Sequence, residues 1–346
     1  MRLIGRQRDA LSLGQWVIYE KPDFRHDGAQ LMQTDRLTPE AHRSVADAPP
    51  DNWVDRHAPP GWRPWLRLSR ADRPIGTWLL LLPCWWGIGL AMIADAPLWR
   101  DLWIAVACGL GAILMRGAGC TWNDITDRDI DDKVARTRSR PIPSGQVTVR
   151  GAALWLVAQS LAGFVILLTL GPAAIWLGVA SLALVAIYPF AKRFTWWPQV
   201  FLGLAFNWGV MLAYAAHMGR LDAAPVVAWV AGIAWTIFYD TIYAHQDVED
   251  DVLIGVKSTA RLFGDNSPRI LAGFAVLTVV LLAVAISLTG RNLLMGFAGL
   301  AGFAAHLAWQ LRNFQPEQGA VCLRLFRSNR DAGLILALFL ALAGLV

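Results

Sequence analysis

Residues 119–145 read GCTWNDITDRDIDDKVARTRSRPIPSG, and an apolar run over 98–118 leads directly into them. Carboxylates and arginines at that density are costly beside hydrocarbon unless they neutralise one another or hold something charged. The run before them has the length of a membrane span, since about 20 apolar residues cross roughly 30 Å of hydrocarbon. Further apolar runs lie at 75–94, 152–170, 173–190, 199–216, 225–244, 270–288, 293–311 and 332–346. The length rule therefore predicts an all-α integral membrane protein with about nine transmembrane helices. Composition agrees. Of the 346 residues 55% are hydrophobic and 16% charged, and the mean hydropathy is +0.41, which is more apolar surface than a water-soluble domain of this length hides.

Charge orients the spans. One side receives the segment from Arg128 to Arg150, the pair Lys192 and Arg193, then Lys257 and Arg261, and the group Arg312, Arg324, Arg327 and Arg330. The other side holds little beyond Arg100, Arg220 and Arg291. The positive-inside rule makes the first side cytoplasmic and places the N-terminus there. This bias, with anionic headgroups, accounts for the net charge of +5 without nucleic acid, and no protein partner is indicated. Cys84, Cys108, Cys120 and Cys322 have no metal-like spacing and read as small apolar fillers.

Three segments follow. Residues 1–60 are polar, of mixed charge, and read as a flexible cytoplasmic extension. Residues 61–74 interleave Trp62, Trp65, Leu66 and Leu68 with Arg63, Arg67 and Arg70, as an interfacial segment does. Residues 75–346 form the transmembrane domain. Glu20, Asp23, Asp27, Asp35, Glu40 and Asp47 disfavour a transit peptide, so a bacterial inner membrane is the expected address, with a mitochondrial inner membrane second.

On a helical wheel of about 100° per residue, Asp127 lies roughly 60° and Asp131 roughly 20° from Asp124, so one face would carry three carboxylates flanked by Asn123. A second acidic run, YDTIYAHQDVEDDVLIGVKSTARLFG at 239–264, places Asp247 and Asp251 within roughly 20° of Asp240 on the same reckoning. Both runs follow spans that end on one side, the second and the sixth, and so could face each other across one cavity. Such oxygen clusters suit Mg²⁺, which takes one or two carboxylates together with phosphate oxygens and water. Arg136, Arg140, Lys192 and Lys257 could meet the rest of a diphosphate's charge, arginine in bidentate fashion and lysine as a point charge. A metal-bound diphosphate at the mouth of an apolar membrane cavity implies a lipid diphosphate. One acidic loop beside a span is ordinarily solvated sequence, whereas two with helical spacing on one side ask for more. Arg138 and Arg150 read as topology determinants, and His217 and His245 have no partner at metal-ligand spacing. GLGAILMRGAG at 109–119 lacks the lysine of a phosphate loop and reads as close helix packing.

At these residues the chain resembles the UbiA superfamily of intramembrane aromatic prenyltransferases. NDITDRDID at 123–131 matches that family's N-D-x-x-D-x-x-x-D, and RTRSRPIPSG at 136–145 is similar to its R-x-x-x-R-P-[IL]-x-x-G. The second acidic run, YPFAKRFTWWPQ at 188–199 and RADRPIG at 70–76 resemble the subgroup that prenylates 4-hydroxybenzoate. The resemblance covers residues 65–346. It implies nine helices around a central cavity that opens sideways to lipid, with cytoplasmic loops capping it. The implied reaction is Mg²⁺-dependent ionisation of an all-trans polyprenyl diphosphate and attack by the ring carbon ortho to the hydroxyl of 4-hydroxybenzoate, in ubiquinone biosynthesis.

On that resemblance Asp124, Asp127 and Asp131 hold one Mg²⁺, while Asp247 and Asp251 hold another with Asp240 as a further candidate. Asn123 and Tyr188 would orient ligands, and the acceptor carboxylate would meet Arg73, Arg136 or Arg140. Two alternatives stand beside this reading. One is the same superfamily with a naphthoate, homogentisate, haem or chlorophyllide acceptor. The other is a cation-coupled transporter, which predicts acids near mid-span and broken helices. A CDP-alcohol phosphotransferase ranks below both because its D-G-x-x-A-R element is absent.

Overall fold

A backbone crossing hydrocarbon must satisfy its own hydrogen bonds, which a helix does within one segment. The computed structural model describes residues 45, 48, 49, 51–132, 137–248, 252, 255–291 and 293–346. Among them no strand forms, and nine helical segments are long and apolar enough to cross a membrane. Two short helices, α1 (Trp53–His57) and α2 (Arg63–Leu68), precede the spans. The spans are α3 (Ile75–Ala94), α4 (Trp99–Asp131), α5 (Val149–Leu167), α6 (Pro172–Phe194), α7 (Pro198–Phe206) with α8 (Gly209–Met218), α9 (Ala223–Ala244), α10 (Thr259–Phe263) leading into α11 (Ser267–Ser287), α12 (Leu293–Asn313) and α13 (Gly319–Leu345).

Three spans depart from the hydropathy reading. The second continues past Ala118 to Asp131 as a single helix of 33 residues, about 50 Å long at 1.5 Å per residue, so its acidic end projects beyond the hydrocarbon. The fifth breaks at Asn207 and Trp208, where the Asn207 side chain donates to the Gly203 carbonyl (2.9 Å) and to Thr236 Oγ1 (2.8 Å). The ninth begins at Gly319 rather than near 332. Arg324, Arg327 and Arg330 depress local hydropathy there, yet Cys322, Leu325, Phe326 and Asn329 between them are buried and keep the helix on the bundle.

The first span, α3, lies among α13, α8 and α4. Glycine allows the approach: a Cβ on Gly87 would stand 2.2 Å from the Val210 carbonyl oxygen, and one on Gly89 would stand 2.6 Å from Leu340 Cβ. Without a hydrophobic driving force between helices in lipid, such small-residue contacts supply the packing. Beside them Trp86, Trp235 and Phe303 form an aromatic cluster, with Trp86 and Trp235 centroids 4.9 Å apart. Their indole N–H groups donate to the Gly333 carbonyl and to Asn329 Oδ1, each at 3.0 Å. The four cysteines are buried and free of disulfides.

Of the extension expected over 1–60, residues 1–44, 46, 47 and 50 lie outside the described residues. Residues 51–60 contain α1, tied down by Arg67 on Asp55 (2.6 Å) and by Trp53 Nε1 on the Ala71 carbonyl (2.6 Å). Folded structure therefore reaches N-terminal to the expected boundary at 60. In the interfacial segment, Leu68 is buried with Ile142, Val147 and Ala152, and Trp62 and Trp65 stack against Trp155.

Candidate active site

Because α4 stays helical beyond the span, Asp124, Asp127 and Asp131 share one face, and all three are buried. Buried carboxylates demand charge or hydrogen-bond compensation, and each has it from a different element. Asp124 Oδ1 accepts from Arg70 Nη2 at 2.6 Å and from Arg140 Nη1 at 3.5 Å. Asp127 accepts from Lys192 Nζ at 2.5 Å and from Arg193 Nη2 at 3.4 Å, both from the end of α6. Asp131 Oδ2 accepts from Arg140 Nη1 at 2.8 Å.

Local structure aims these cations. Arg70 sits in the left-handed region with φ 57°, a conformation costly to a residue with a Cβ. That turn carries its guanidinium back onto α4, where Nη1 also donates to the Arg67 carbonyl at 3.1 Å. Arg140 is returned by the turn over 137–147: Thr137 Oγ1 donates to the Asp131 carbonyl (2.8 Å), Val147 N to the Pro141 carbonyl (3.0 Å), and Gly145 takes φ 74°.

The three carboxylates lie behind the wall of a cavity of about 870 Å³, which is lined by Asn123 beside them, by their partners Arg70 and Arg140, by Tyr188, Tyr239 and Asp240, and by apolar side chains of α3, α4, α6 and α8. About two turns inward along α4 from Asn123, Arg116 also lines this cavity. Its guanidinium lies over the Phe206 ring (5.4 Å to the centroid) and fills the space that a Cβ on Gly76 would take, at 2.5 Å. Its Nε is buried without a hydrogen-bond partner.

The second acidic run is less regular. Asp240 faces the cavity from α9, where Gln199 hydrogen-bonds it. From His245 to Asp247 the chain tightens into a 3₁₀ turn, which rotates Asp247 away from the α-helical projection that aligned it with Asp240. Asp251 and Arg136 lie outside the described residues. The loop returning from this run is pinned by the Thr241 and Thr259 hydroxyls, 2.6 Å apart, while Lys257 lies over the Trp196 ring, 6.0 Å from its centroid. Arg73 lines the cavity and pairs with its neighbour Asp72 at 3.1 Å.

Sequence reasoning did not single out Arg70, Arg116 or Arg193 as site residues. For Arg116 a signal existed, since an ionisable residue within an apolar span is by default a functional candidate. For Arg70 and Arg193 there was none, because contact with α4 is made only by folding.

The residues fit a hard divalent cation. Asp124 Oδ2 is buried without a hydrogen-bond donor, leaving lone pairs at the centre of an oxygen-rich stripe. Among the described residues no three acidic or metal-binding side chains converge on one point.

Residues 80–343 match the UbiA prenyltransferase family. The rat "4-hydroxybenzoate polyprenyltransferase, mitochondrial" is 47% identical over 293 residues, covering 84% of this chain and 78% of the relative. The mouse protein of the same name is 46% identical over 293 residues with the same coverage. A solved UbiA homolog from Archaeoglobus fulgidus bound to GPP and Mg²⁺ superposes with a TM-score of 0.62 at 20% identity, over 81% of this chain and 98% of that one. The expected address is corrected by these relatives. Both are named mitochondrial, which overturns the bacterial inner membrane inferred from the acidic N-terminal residues, and with it the cytoplasmic label for the acidic side.

Proposed function

The chain belongs to the UbiA prenyltransferase family, and from that premise we propose that it transfers an all-trans polyprenyl group from its diphosphate to 4-hydroxybenzoate, at the ring carbon ortho to the hydroxyl, in ubiquinone biosynthesis. The observation that carries this reading is the compensated carboxylate stripe whose partners Arg70 and Arg140 line a largely apolar cavity between the spans. Within the chain, residues 75–346 are the transferase domain, 61–74 its interfacial lead-in, and the preceding residues an extension.

Asp124, Asp127 and Asp131 would hold one Mg²⁺, and Asp247 and Asp251, with Asp240, a second. Bound there, Mg²⁺ supplies Lewis-acid stabilisation of the departing diphosphate. The chain's own cations have the companion task. Arg70, Arg140, Lys192 and Arg193 hold the carboxylates in place and offer remaining N–H donors to diphosphate oxygens; Arg136 and Lys257 act with them from the capping loops. The allylic C–O bond breaks with its electron pair going to the diphosphate, the ring carbon of the acceptor forms the new C–C bond, and loss of the ring proton restores aromaticity.

Arg116 is the cation for the acceptor carboxylate. It is half-buried, lines the cavity, and has a buried Nε without a hydrogen-bond partner, whereas Arg73 and Arg140 already face Asp72 and Asp131. Asn123 and Tyr188 orient the ligands by hydrogen bonds. The apolar wall excludes water from the allylic cation.

The test is prenyl transfer in isolated membranes, with radiolabelled 4-hydroxybenzoate and a polyprenyl diphosphate, in Mg²⁺ or in EDTA. A lipid-soluble labelled product that requires metal is the expected result. Product only with a naphthoate or homogentisate acceptor would overturn the acceptor assignment, and no product with any acceptor from folded protein would overturn prenyl transfer.

A further inference from the structure

Among the described residues seven arginines line the cavity: Arg70, Arg73, Arg116, Arg140, Arg324, Arg327 and Arg330. Arg70, Arg73 and Arg140 are matched by Asp124, Asp72 and Asp131, and Arg330 by Asp331 at 2.8 Å. Arg116 lies inward of the acidic stripe. Arg324 and Arg327, three residues apart on α13, are exposed and have no carboxylate partner among the described residues. Among the described residues they carry the positive charge of the cavity's lining that no carboxylate pairs with.

Their position is set by packing. The Phe326 ring, between them in sequence, stacks on Tyr243 at 4.6 Å and on Tyr239 at 5.8 Å. A Cβ on Gly319 would stand 3.5 Å from the Gln246 side chain. The charged first half of α13 is thereby held against the second acidic run. A topology determinant needs only to lie on the correct side of the membrane; these two also border the cavity.

We propose that Arg324 and Arg327 form a phosphate-capture station at the cavity mouth, which takes the diphosphate of the prenyl donor before it reaches the stripe on α4. The inference rests on the prenyl-transfer reading above. An amphiphile in the leaflet presents its diphosphate at headgroup level with its tail in hydrocarbon, and paired guanidiniums recognise phosphate oxygens by forked hydrogen bonds. A positive rim on a low-dielectric cavity also focuses the field and raises the rate of anion encounter. Capture of this kind acts before the chemical step, so its loss appears in KM for the donor and not in kcat.

The experiment compares wild type, Arg324→Gln/Arg327→Gln and Arg324→Lys/Arg327→Lys in nanodiscs of neutral phosphatidylcholine and in nanodiscs containing phosphatidylglycerol. The glutamine pair should raise the donor KM about tenfold in both bilayers, with kcat and the 4-hydroxybenzoate KM within about twofold of wild type and the thermal midpoint unchanged. The lysine pair should recover most of the loss. An unchanged donor KM in both bilayers would overturn capture, as would a shift confined to phosphatidylglycerol discs, which would assign the arginines to phospholipid headgroups. Wild type that ionises no donor at all would instead overturn the prenyl-transfer reading and the station with it.

Discussion

At the scale of single residues, Asp124 joins two cations from different segments: Arg70 and Arg140 converge on Oδ1 while Oδ2 is buried without a hydrogen-bond donor. Asp124→Asn keeps the shape, removes the charge, and leaves Arg70 buried opposite a neutral group. Prenyl transfer should fall at least about 100-fold, the scale of one lost electrostatic partner at a transition state, measured as labelled product per folded enzyme. Arg116 makes a different prediction. Arg116→Gln should raise the 4-hydroxybenzoate KM by about tenfold or more, the cost of leaving a carboxylate without its charged donor, while leaving the donor KM near wild type. Phenol, which lacks the carboxylate, should react equally poorly with both proteins; a variant that alters the donor KM instead would place Arg116 at the diphosphate. The acid stripe was legible because three carboxylates recur at helical spacing. Arg116 was visible only as an isolated charge in an apolar run, and Arg70 looked like one of several interfacial arginines.

At the scale of elements, the length of α4 decides where the chemistry sits. A helix that ended with the hydrocarbon at Ala118 would leave Asp124 to Asp131 on a loop; one that runs to Asp131 sets them on a single buried face. Hydropathy does not report this continuation, since it scores charge alone: Asn123, Asp124, Asp127 and Asp131 are weak helix formers that stay helical here with their carboxylates matched by cations from other segments. The same reason hid the first half of α13. Packing of α3 offers a stability test independent of activity. Gly87→Ala would place a methyl 2.2 Å from the Val210 carbonyl oxygen, and backbone there has no rotamer by which to retreat. The expected loss is about 1–3 kcal/mol, read as a lower thermal midpoint in detergent. An unchanged midpoint would mean that α3 and α8 separate more easily than their contact implies.

At the scale of the whole molecule, the bundle encloses a cavity of about 870 Å³ with its polar groups gathered at one end. An isoprenoid tail and a charged head find their two environments in one chamber. Chelation should therefore abolish transfer while leaving helical content by circular dichroism unchanged, and added Mg²⁺ should restore it; loss of helicity in EDTA would make the metal a folding ligand instead. The amino-acid sequence by itself determined the membrane setting, the span number and the two acidic runs, because span length and helical period are local properties that neighbouring residues encode. Its acidic N-terminal residues misdirected the address, since they describe charge and not destination. Only the tertiary structure decided which cation meets which carboxylate, and that Arg116, Arg324 and Arg327 line the cavity. Arg70 lies 54 positions from Asp124 in the chain, and Lys192 lies 65 from Asp127. Pairings over such separations depend on how helices pack around the cavity, and packing is a property of several segments at once.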